Sequence, residues 1–305
     1  MRRVLIVVAL IVAAAVLGLW RTNGGVRQGL SRVVGASGNK AQGVTSDETR
    51  KSFGLKAGDR VRVEGINGTV DIQTSDTRTA EVYVKRTADS ASSLRRREII
   101  IEQTSDGLLV RGQQNHVGLW DHLFGSNPKE EVIIKAPRQI ALSLKGVNGR
   151  VTAGDIDGPL EAKGINGGME VGQTTGSAEI SGINGNISVG LKQLGERGAR
   201  VSGVNGNIEL RIATALNADL TAKGMHGRVT SEIPTITVDG DDYGSRYSAR
   251  IGSGGSPITI SGINGNLRLT SSTATSSAAS EKKPGETGQK EVKSAEARGA
   301  KESVQ

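Results

Sequence analysis

The sequence contains no cysteine, and only 2% of its residues are aromatic. The absence of thiols excludes structural disulfides, thiolate metal sites and a cysteine nucleophile. The scarcity of aromatic rings argues against nucleic-acid binding, because no rings interleave with the basic residues to stack on bases, and no known reader motif is present. What remains is an aliphatic chain of 305 residues with 43 glycines and a formal net charge of +8.

A block of Gly–apolar–Asn–Gly, or a one-letter variant of it, recurs seven times. The blocks are Gly65–Gly68, Gly146–Gly149, Gly164–Gly167, Gly182–Gly185, Gly203–Gly206, Gly224–Gly227 and Gly262–Gly265. The middle five recur at steps of roughly 18 to 21 residues, and the last step is about twice as long. A period in this range indicates one supersecondary unit stacked into an array.

Apolar residues alternate with polar ones on both sides of each block. Counted from the first glycine as zero, they occupy positions −4, −2, +1, +5 and +7, which in one copy are Ala178, Ile180, Ile183, Ile187 and Val189. A spacing of two is typical of strands with one buried face. A helix would need apolar residues three and four apart and would carry two glycines in mid-turn. The sequence therefore predicts an all-β fold.

The block itself fits either a hairpin turn or a corner between coils. Asn-Gly between alternating runs favours a type I′ hairpin. In a hairpin, however, the apolar residue at +1 would face water in every copy, at a loss of about 1.5–3 kcal/mol each. A corner whose glycines adopt unusual φ angles resets the alternation, so that −2, +1 and +5 all point inward. We therefore expect an elongated parallel β-solenoid, a β-helix-like repeat domain, with an antiparallel hairpin array or β-sandwich as the alternative.

The third residue of each block is predicted to form a structural ladder. In stacked coils each such residue lies above its equivalent, so that side-chain amides join one coil to the next. His226 replaces asparagine once and can still donate and accept a hydrogen bond. The members of this turn ladder are Asn67, Asn148, Asn166, Asn184, Asn205, His226 and Asn264.

The blocks, followed by apolar-x-apolar, resemble the bacterial "putative adhesin" family of β-strand-repeat proteins of unknown function and the related head-GIN domains of "putative autotransporter adhesins". The segment Glu131–Arg138, which leads into Ile140–Leu144 and the second block, is similar to the strand–Pro–strand entry into that family's repeats. The resemblance covers about Phe53 to Thr270. It implies a solenoid-like protein associated with the bacterial envelope. No catalytic residues come with it, because the family has no agreed active site.

The two ends of the chain differ in composition from the repeats. An apolar run from Val4 to Leu19, with Arg2 and Arg3 before it, predicts a transmembrane signal-anchor over residues 1–21. A cleaved signal peptide is the alternative, since Ala13–Ala15 offers small residues. The predicted organisation is a signal-anchor (1–21), a flexible linker (22–52), the repeat domain (53–270) and a disordered Ser/Ala/Glu/Lys tail (271–305).

The segment between the first and second blocks contains a loop with unusual residues, His116, Trp120, His122 and Phe124. One interpretation is a cap that covers the exposed strand edges at the end of the solenoid. Another is a loop in which Trp120, His122 and Phe124 contact a partner or lipid. A metal site between the two histidines is disfavoured, because their spacing matches no ligand helix and no further ligand is evident.

The charged clusters give no clear site. Arg95–Arg97 is interpreted as a solvated strand entrance, with a polyanion-binding surface as the alternative. Asp155–Gly158 lacks the later ligands of a calcium loop. Asp239–Tyr243 is interpreted as a loop between coils, with weak cation binding as the alternative. No serine has a nucleophile-elbow context. We therefore predict no catalytic residues, no metal and no cofactor.

The predicted function is that of a non-enzymatic, single-pass membrane protein. The repeat domain would lie outside the cytoplasm, in the periplasm or at the cell surface, as an adhesin or as a module that binds an envelope polymer or protein through a flat polar strand face. A regulatory or scaffolding role in envelope stress is the alternative. A carbohydrate-active β-helix enzyme is a remote alternative that rests on analogy of fold alone.

Overall fold

The computed structural model describes residues 44–115, 127–241 and 245–272, which form an all-β structure of two mixed sheets. The strands are β1 (Thr45–Gly54), β2 (Arg60–Glu64), β3 (Gly68–Ser75), β4 (Thr79–Ala88), β5 (Arg97–Thr104), β6 (Gly107–Gln114), β7 (Lys129–Pro137), β8 (Ala141–Lys145), β9 (Val151–Ala153), β10 (Leu160–Asn166), β11 (Met169–Thr175), β12 (Ala178–Asn184), β13 (Ile187–Gln193), β14 (Ala199–Asn205), β15 (Ile208–Ile212), β16 (Ala218–Met225), β17 (Val229–Ser231), β18 (Val238–Gly240), β19 (Arg246–Ile251), β20 (Ser256–Asn264) and β21 (Leu267–Ser271). One short helix, α1 (Ala91–Arg95), lies between β4 and β5.

The strands are divided between the two sheets by the repeat blocks. Sheet A has ten strands in the order β1-β4-β7-β3-β9-β11-β13-β15-β21-β17, and sheet B has eleven in the order β18-β19-β16-β20-β14-β12-β10-β8-β2-β6-β5. In each repeat the strand before the block lies in sheet B and the strand after it lies in sheet A. The hairpin alternative is therefore wrong at these blocks, because the flanking strands do not pair with each other.

Equivalent residues of neighbouring repeats pair in parallel register. Ala178 of β12 lies opposite Leu160 on one side and Ala199 on the other, and the same holds along the rest of the strand. The order along the stack departs from the order along the chain in one place. The last repeat, β20–β21, lies between β14–β15 and β16–β17.

The two glycines of a block meet two different requirements of the corner. The first glycine has φ between 60° and 64° in all seven blocks, a left-handed conformation that side chains rarely adopt. The second lies against the neighbouring repeat, so that a Cβ at Gly185 would lie 2.4 Å from the backbone oxygen of Gly167. The corner turns the residue at +1 inward, as predicted: Ile183 is 1% exposed.

The aliphatic side chains at −4, −2, +1, +5 and +7 form one core between the sheets. Antiparallel pairs occur at both ends of the stack. At the end that contains the first block, β1, β4 and β7 extend sheet A and the hairpin β5–β6 extends sheet B. At the other end β19 pairs antiparallel with both β16 and β18.

The predicted linker is wrong in its last residues. Strand β1 begins at Thr45 and pairs with β4 along its whole length. Its sequence is almost entirely polar, so no alternating pattern predicts it, and it is held by backbone hydrogen bonds to a neighbouring strand. The predicted anchor (1–21), the linker up to residue 43 and the tail from residue 273 lie outside the described residues. In the part of the chain that is described, no helix has the length and apolar character needed to cross a membrane.

Candidate functional site

The third residues of the blocks lie in one column along the stack. Their side chains donate from Nδ2 to the Oδ1 of the next asparagine: Asn148 to Asn67 (3.0 Å), Asn166 to Asn148 (3.1 Å), Asn184 to Asn166 (3.1 Å), Asn205 to Asn184 (3.3 Å) and Asn264 to Asn205 (3.1 Å). Asn67 donates to the carbonyl oxygen of Pro128 at 3.0 Å. The backbone N–H of His226 donates to the carbonyl oxygen of Ile263, which places His226 next to Asn264. Most of these amides are thus engaged with one another.

A second column of asparagines lies at position +4, immediately before the strands of sheet A. The Oδ1 of Asn186 accepts from the backbone N–H of Asn207 at 3.0 Å. The Oδ1 of Asn207 accepts in turn from the backbone N–H of Asn266 at 3.0 Å. The Oδ1 of Asn266 accepts in the same way from Arg228. This column was not predicted, although the extended motif Asn-Gly-Asn in three blocks marks it.

A groove of about 760 Å³ runs over the outer face of sheet A beside this second column. Three arginines line it, Arg150, Arg228 and Arg268, and all three are exposed. Arg268 pairs with Glu232. The side chains of Arg150 and Arg228 have no hydrogen-bond or ionic partner among the described residues, so both guanidinium groups are available to a ligand.

A second row of side chains lies in the same groove, two residues further along each strand, where Glu170, Ser188, Glu209 and Thr230 carry oxygens and Arg268 occupies the position on β21. Glu170 is half-exposed, and the carboxylate of Glu209 accepts from the hydroxyls of Ser188 (3.1 Å) and Thr270 (3.2 Å). These side chains alternate with buried apolar neighbours and therefore project from the sheet.

A buried arginine lies two residues beyond this row, on β15. Arg211 is 7% exposed, donates to the hydroxyl of Ser188 at 2.9 Å and also donates to the carbonyl oxygen of Val171. It reaches from β15 across β13 to β11, where Gly190 and Gly172 have no side chains to obstruct it. The Nη1 of Arg211 lies 3.8 Å from the carboxylate of Glu170, so Arg211 pairs with a side chain that lines the groove.

The outer face of sheet B differs, because its central charges pair with one another. Lys163 lies 3.3 Å from Glu161 and 3.1 Å from Glu179, and Lys145 lies 3.2 Å from Glu161. Burial raises the pKa of Glu161, but hydrogen bonds from Lys145, Ser143 and Lys163 outweigh it and hold that pKa below its ordinary value. The hydrogen bonds to Glu179 and Glu161 raise the pKa of Lys163.

The interpretation of Arg95–Arg97 as a solvated strand entrance is wrong for Arg96 and Arg97. Arg96 is 6% exposed. The Nε of Arg97 donates to the buried carboxylate of Glu130 at 2.9 Å, and the other oxygen of Glu130 accepts from the backbone N–H of Asn67 at 2.6 Å. Strands β5 and β7 thus hold the first block in place with a buried ion pair.

The remaining predicted residues supply no site in the part of the chain that is described. His116, Trp120, His122 and Phe124 lie outside it, as do Asp242 and Tyr243. Asp241 accepts from the backbone N–H groups of Arg246 and Ser245, which lower its pKa and tie it into a turn. Residues 44–115, 127–241 and 245–272 contain no group of three His, Asp or Glu side chains arranged to hold a metal ion.

No known family and no curated protein matches the sequence. Similar solved structures include a "putative cell adhesion protein" from Clostridium sporogenes, with 12% identity and a TM-score of 0.43 over 74% of this chain and 100% of that one. Another is a "putative adhesin" from Bacteroides fragilis, with 10% identity and a TM-score of 0.32 over 73% and 97%. A "putative lipid binding protein" from Parabacteroides distasonis has 9% identity and a TM-score of 0.19 over 73% and 96%. Bacterial proteins described as adhesins are thus among the structural neighbours, and nothing about function follows from similarity at this level.

Proposed function

We propose that this chain is a non-enzymatic binding module of the bacterial envelope, anchored in the membrane through residues 1–21, with an adhesin-like repeat domain outside the cytoplasm. Its contact surface is the outer face of sheet A. The observation that carries the proposal is the groove on that face, where Arg150 and Arg228 have no partner within the described protein. Exposed, unpaired arginines flanking a row of polar side chains suit a partner rich in hydrogen-bond acceptors.

The stacking of the repeats supports this role. We infer a two-sheet solenoid whose parallel strands pair in register, as β10, β12 and β14 do in sheet B and β9, β11 and β13 do in sheet A. Stacking converts one position of the repeat into a row of similar side chains. Such a row favours an extended partner, an envelope polymer or a protein segment, over a compact small molecule.

The side chains of the groove support binding without catalysis. Asparagine amides do not titrate near neutral pH, and arginine stays protonated there, so neither serves readily as a general acid or base. The Glu209 carboxylate accepts hydrogen bonds from the hydroxyls of Ser188 and Thr270. The groove therefore offers hydrogen bonds and charge to a ligand.

The proposal is tested with the full chain, purified in mild detergent and immobilised, by measuring retention of envelope polysaccharide and protein fractions. We expect retention by the wild type and by Arg200→Glu, which changes an exposed arginine on the outer face of sheet B. Arg228→Glu should lose it, since the change inverts the charge at one end of the groove. Absence of retention by the wild type, or equal loss in both variants, would contradict the proposal. Release of unsaturated sugar products, detected by absorbance, would contradict the non-enzymatic part.

A further inference from the structure

We propose that the groove on sheet A binds a linear acidic polysaccharide, a chain of sugars that bear carboxylates, laid across the strands. This inference rests on the proposed function, because it names the ligand class of the same face. It is carried by two adjacent rows of side chains, one of donors and one that contains two carboxylates. The donor row consists of Arg150, Asn186, Asn207, Asn266 and Arg228. The acceptor row consists of Glu170 and Glu209 with Ser188 between them, and Arg268, which pairs with Glu232, follows Glu209.

The donor row offers a ligand N–H donors and no free acceptor oxygen. Each of its asparagines uses Oδ1 to accept a backbone N–H from the next strand, so the amide NH₂ is the end left for a ligand. The two arginines have only donors. A row of this kind selects a partner that presents acceptors at regular intervals, and the charges of Arg150 and Arg228 favour acceptors that are anionic.

The length of the donor row indicates a polymer. The row crosses from β9 to β17 through β13, β15 and β21, and at β11, between Arg150 and Asn186, its position is occupied by Gly168. At about 4.8 Å per strand, these five steps span roughly 24 Å, several sugar residues long. A single sugar or a small anion would engage only one or two members of the row.

The acceptor row distinguishes a sugar chain from other polyanions. Glu170 and Glu209 lie beside the donor row, and each carboxylate oxygen has two lone-pair sites. Both residues can therefore accept hydrogen bonds from sugar hydroxyls in addition to those that Glu209 accepts from Ser188 and Thr270. An inorganic polyphosphate has no such donors at neutral pH, so nothing offsets its repulsion from these two carboxylates, whereas the hydroxyls of an acidic sugar chain offset the repulsion of its own carboxylates. A ligand that carries both hydroxyls and carboxylates satisfies both rows.

Two other polyanionic partners fit less well. The residues that line the groove include no aromatic side chain, so nucleic acid would have nothing to stack on. A membrane surface would require exposed apolar side chains next to the arginines. Among the described residues, the large apolar side chain that is exposed is Val44, which does not line the groove.

The test measures binding of three probes to the immobilised full chain in detergent: polygalacturonate, neutral dextran and inorganic polyphosphate. We expect polygalacturonate to bind most tightly, with an affinity that falls as salt is added, because the two arginines are exposed to screening. Dextran should bind at least about tenfold more weakly than polygalacturonate, since it lacks the carboxylates.

The variants separate the donor row from the general charge of the protein. Asn207→Asp keeps the oxygen that holds the Asn266 backbone and replaces the NH₂ donor with a negative charge, so the fold should survive. We expect it, and the double variant Arg150→Gln/Arg228→Gln, to weaken polygalacturonate binding by about tenfold. The matched controls on sheet B, Ser202→Asp and Arg200→Gln, should change binding less than about twofold.

The outcomes distinguish this inference from the proposed function. Tighter binding of polyphosphate than of polygalacturonate, or equal effects of the groove variants and their controls, would overturn the polysaccharide assignment. If envelope fractions are retained and lost on Arg228→Glu while polygalacturonate does not bind, the proposed function stands and this inference fails. If neither is retained, both fail.

Discussion

The side-chain nitrogen of Asn264 donates to the side-chain oxygen of Asn205 at 3.1 Å, across 59 residues of sequence. This contact places the last repeat inside the stack, between the repeats that contain Asn205 and His226. The same order holds in sheet A, where Asn266 lies between Asn207 and Arg228. Arg228 therefore lies at the end of the groove. If the repeats were stacked in chain order, Asn266 would lie there instead.

The corner ladder is expected to make a small contribution to stability. Asn184→Ala removes one hydrogen bond to Asn166 and one from Asn205. At about 0.5–1.5 kcal/mol per bond, and at the lower end for exposed amides, the free energy of unfolding should fall by about 1–2 kcal/mol. The measurement is urea unfolding, with Ser181→Ala on the same strand as the control. Equal effects of the two substitutions would show that the ladder adds no stability.

The second glycine of a block is expected to tolerate no side chain. A Cβ in Gly185→Ala would lie 2.4 Å from the backbone oxygen of Gly167, and neither backbone can move without disturbing the parallel pairing. We expect a loss of roughly 3 kcal/mol or more, or failure to fold. The control is Gly195→Ala, where the nearest atom to the new Cβ lies 3.9 Å away. Circular dichroism during thermal unfolding would contradict this if both variants matched the wild type.

The buried ion pair under the first block is expected to matter far more than an exposed one. Glu130→Gln leaves the Arg97 guanidinium without its charged partner in a buried site, at a cost of about 3–5 kcal/mol. Glu81→Gln breaks an exposed pair with Lys135, where the separation is 3.8 Å, and should cost about 0–1 kcal/mol. Chemical denaturation of both variants tests the difference, and a similar cost for the two would contradict the burial of Glu130.

Acid should lower the free energy of unfolding, in part through the protonation of Glu161. Its pKa in the folded state lies below the ordinary glutamate value, so its stabilising contribution is present above about pH 4.3 and is lost as the pH falls below that value. Glu161→Gln should therefore flatten the pH dependence of the free energy of unfolding on the acid side. Unfolding curves at about pH 6 and about pH 3 measure this, and an unchanged slope would contradict the assignment to Glu161.

The alternation within a repeat could be predicted from the sequence because it is local. The inward position of Ile183 follows from two glycines and the burial of an apolar side chain, and the all-β fold follows from the two-residue spacing. The order of the repeats could not be predicted. The double-length step between Met225 and Gly262 shows only that something intervenes, and strand pairing depends on contacts far apart in the sequence.

The features of the site were harder to predict because each depends on a distant neighbour. Arg96 and Arg97 belong to a charged run that is typical of surface residues, yet Arg96 is buried and Arg97 pairs with the buried carboxylate of Glu130 on β7. Arg211 looks like an exposed strand residue until Gly190 is placed beside it in the adjacent strand. The donor row was visible only as an extra asparagine after three of the blocks.

The most direct test of the account is the order of the repeats, since both columns and the groove depend on it. The chain has no cysteine, so pairs introduced at the corners have no competing thiols. In Asn205→Cys/Asn264→Cys the two residues are one strand apart, about 4.8 Å, within the Cα separation of a disulfide. In Asn205→Cys/His226→Cys they are two strands apart, roughly 10 Å, which is too far. Mass spectrometry after mild oxidation should find the first disulfide and not the second, and the reverse result would contradict the account.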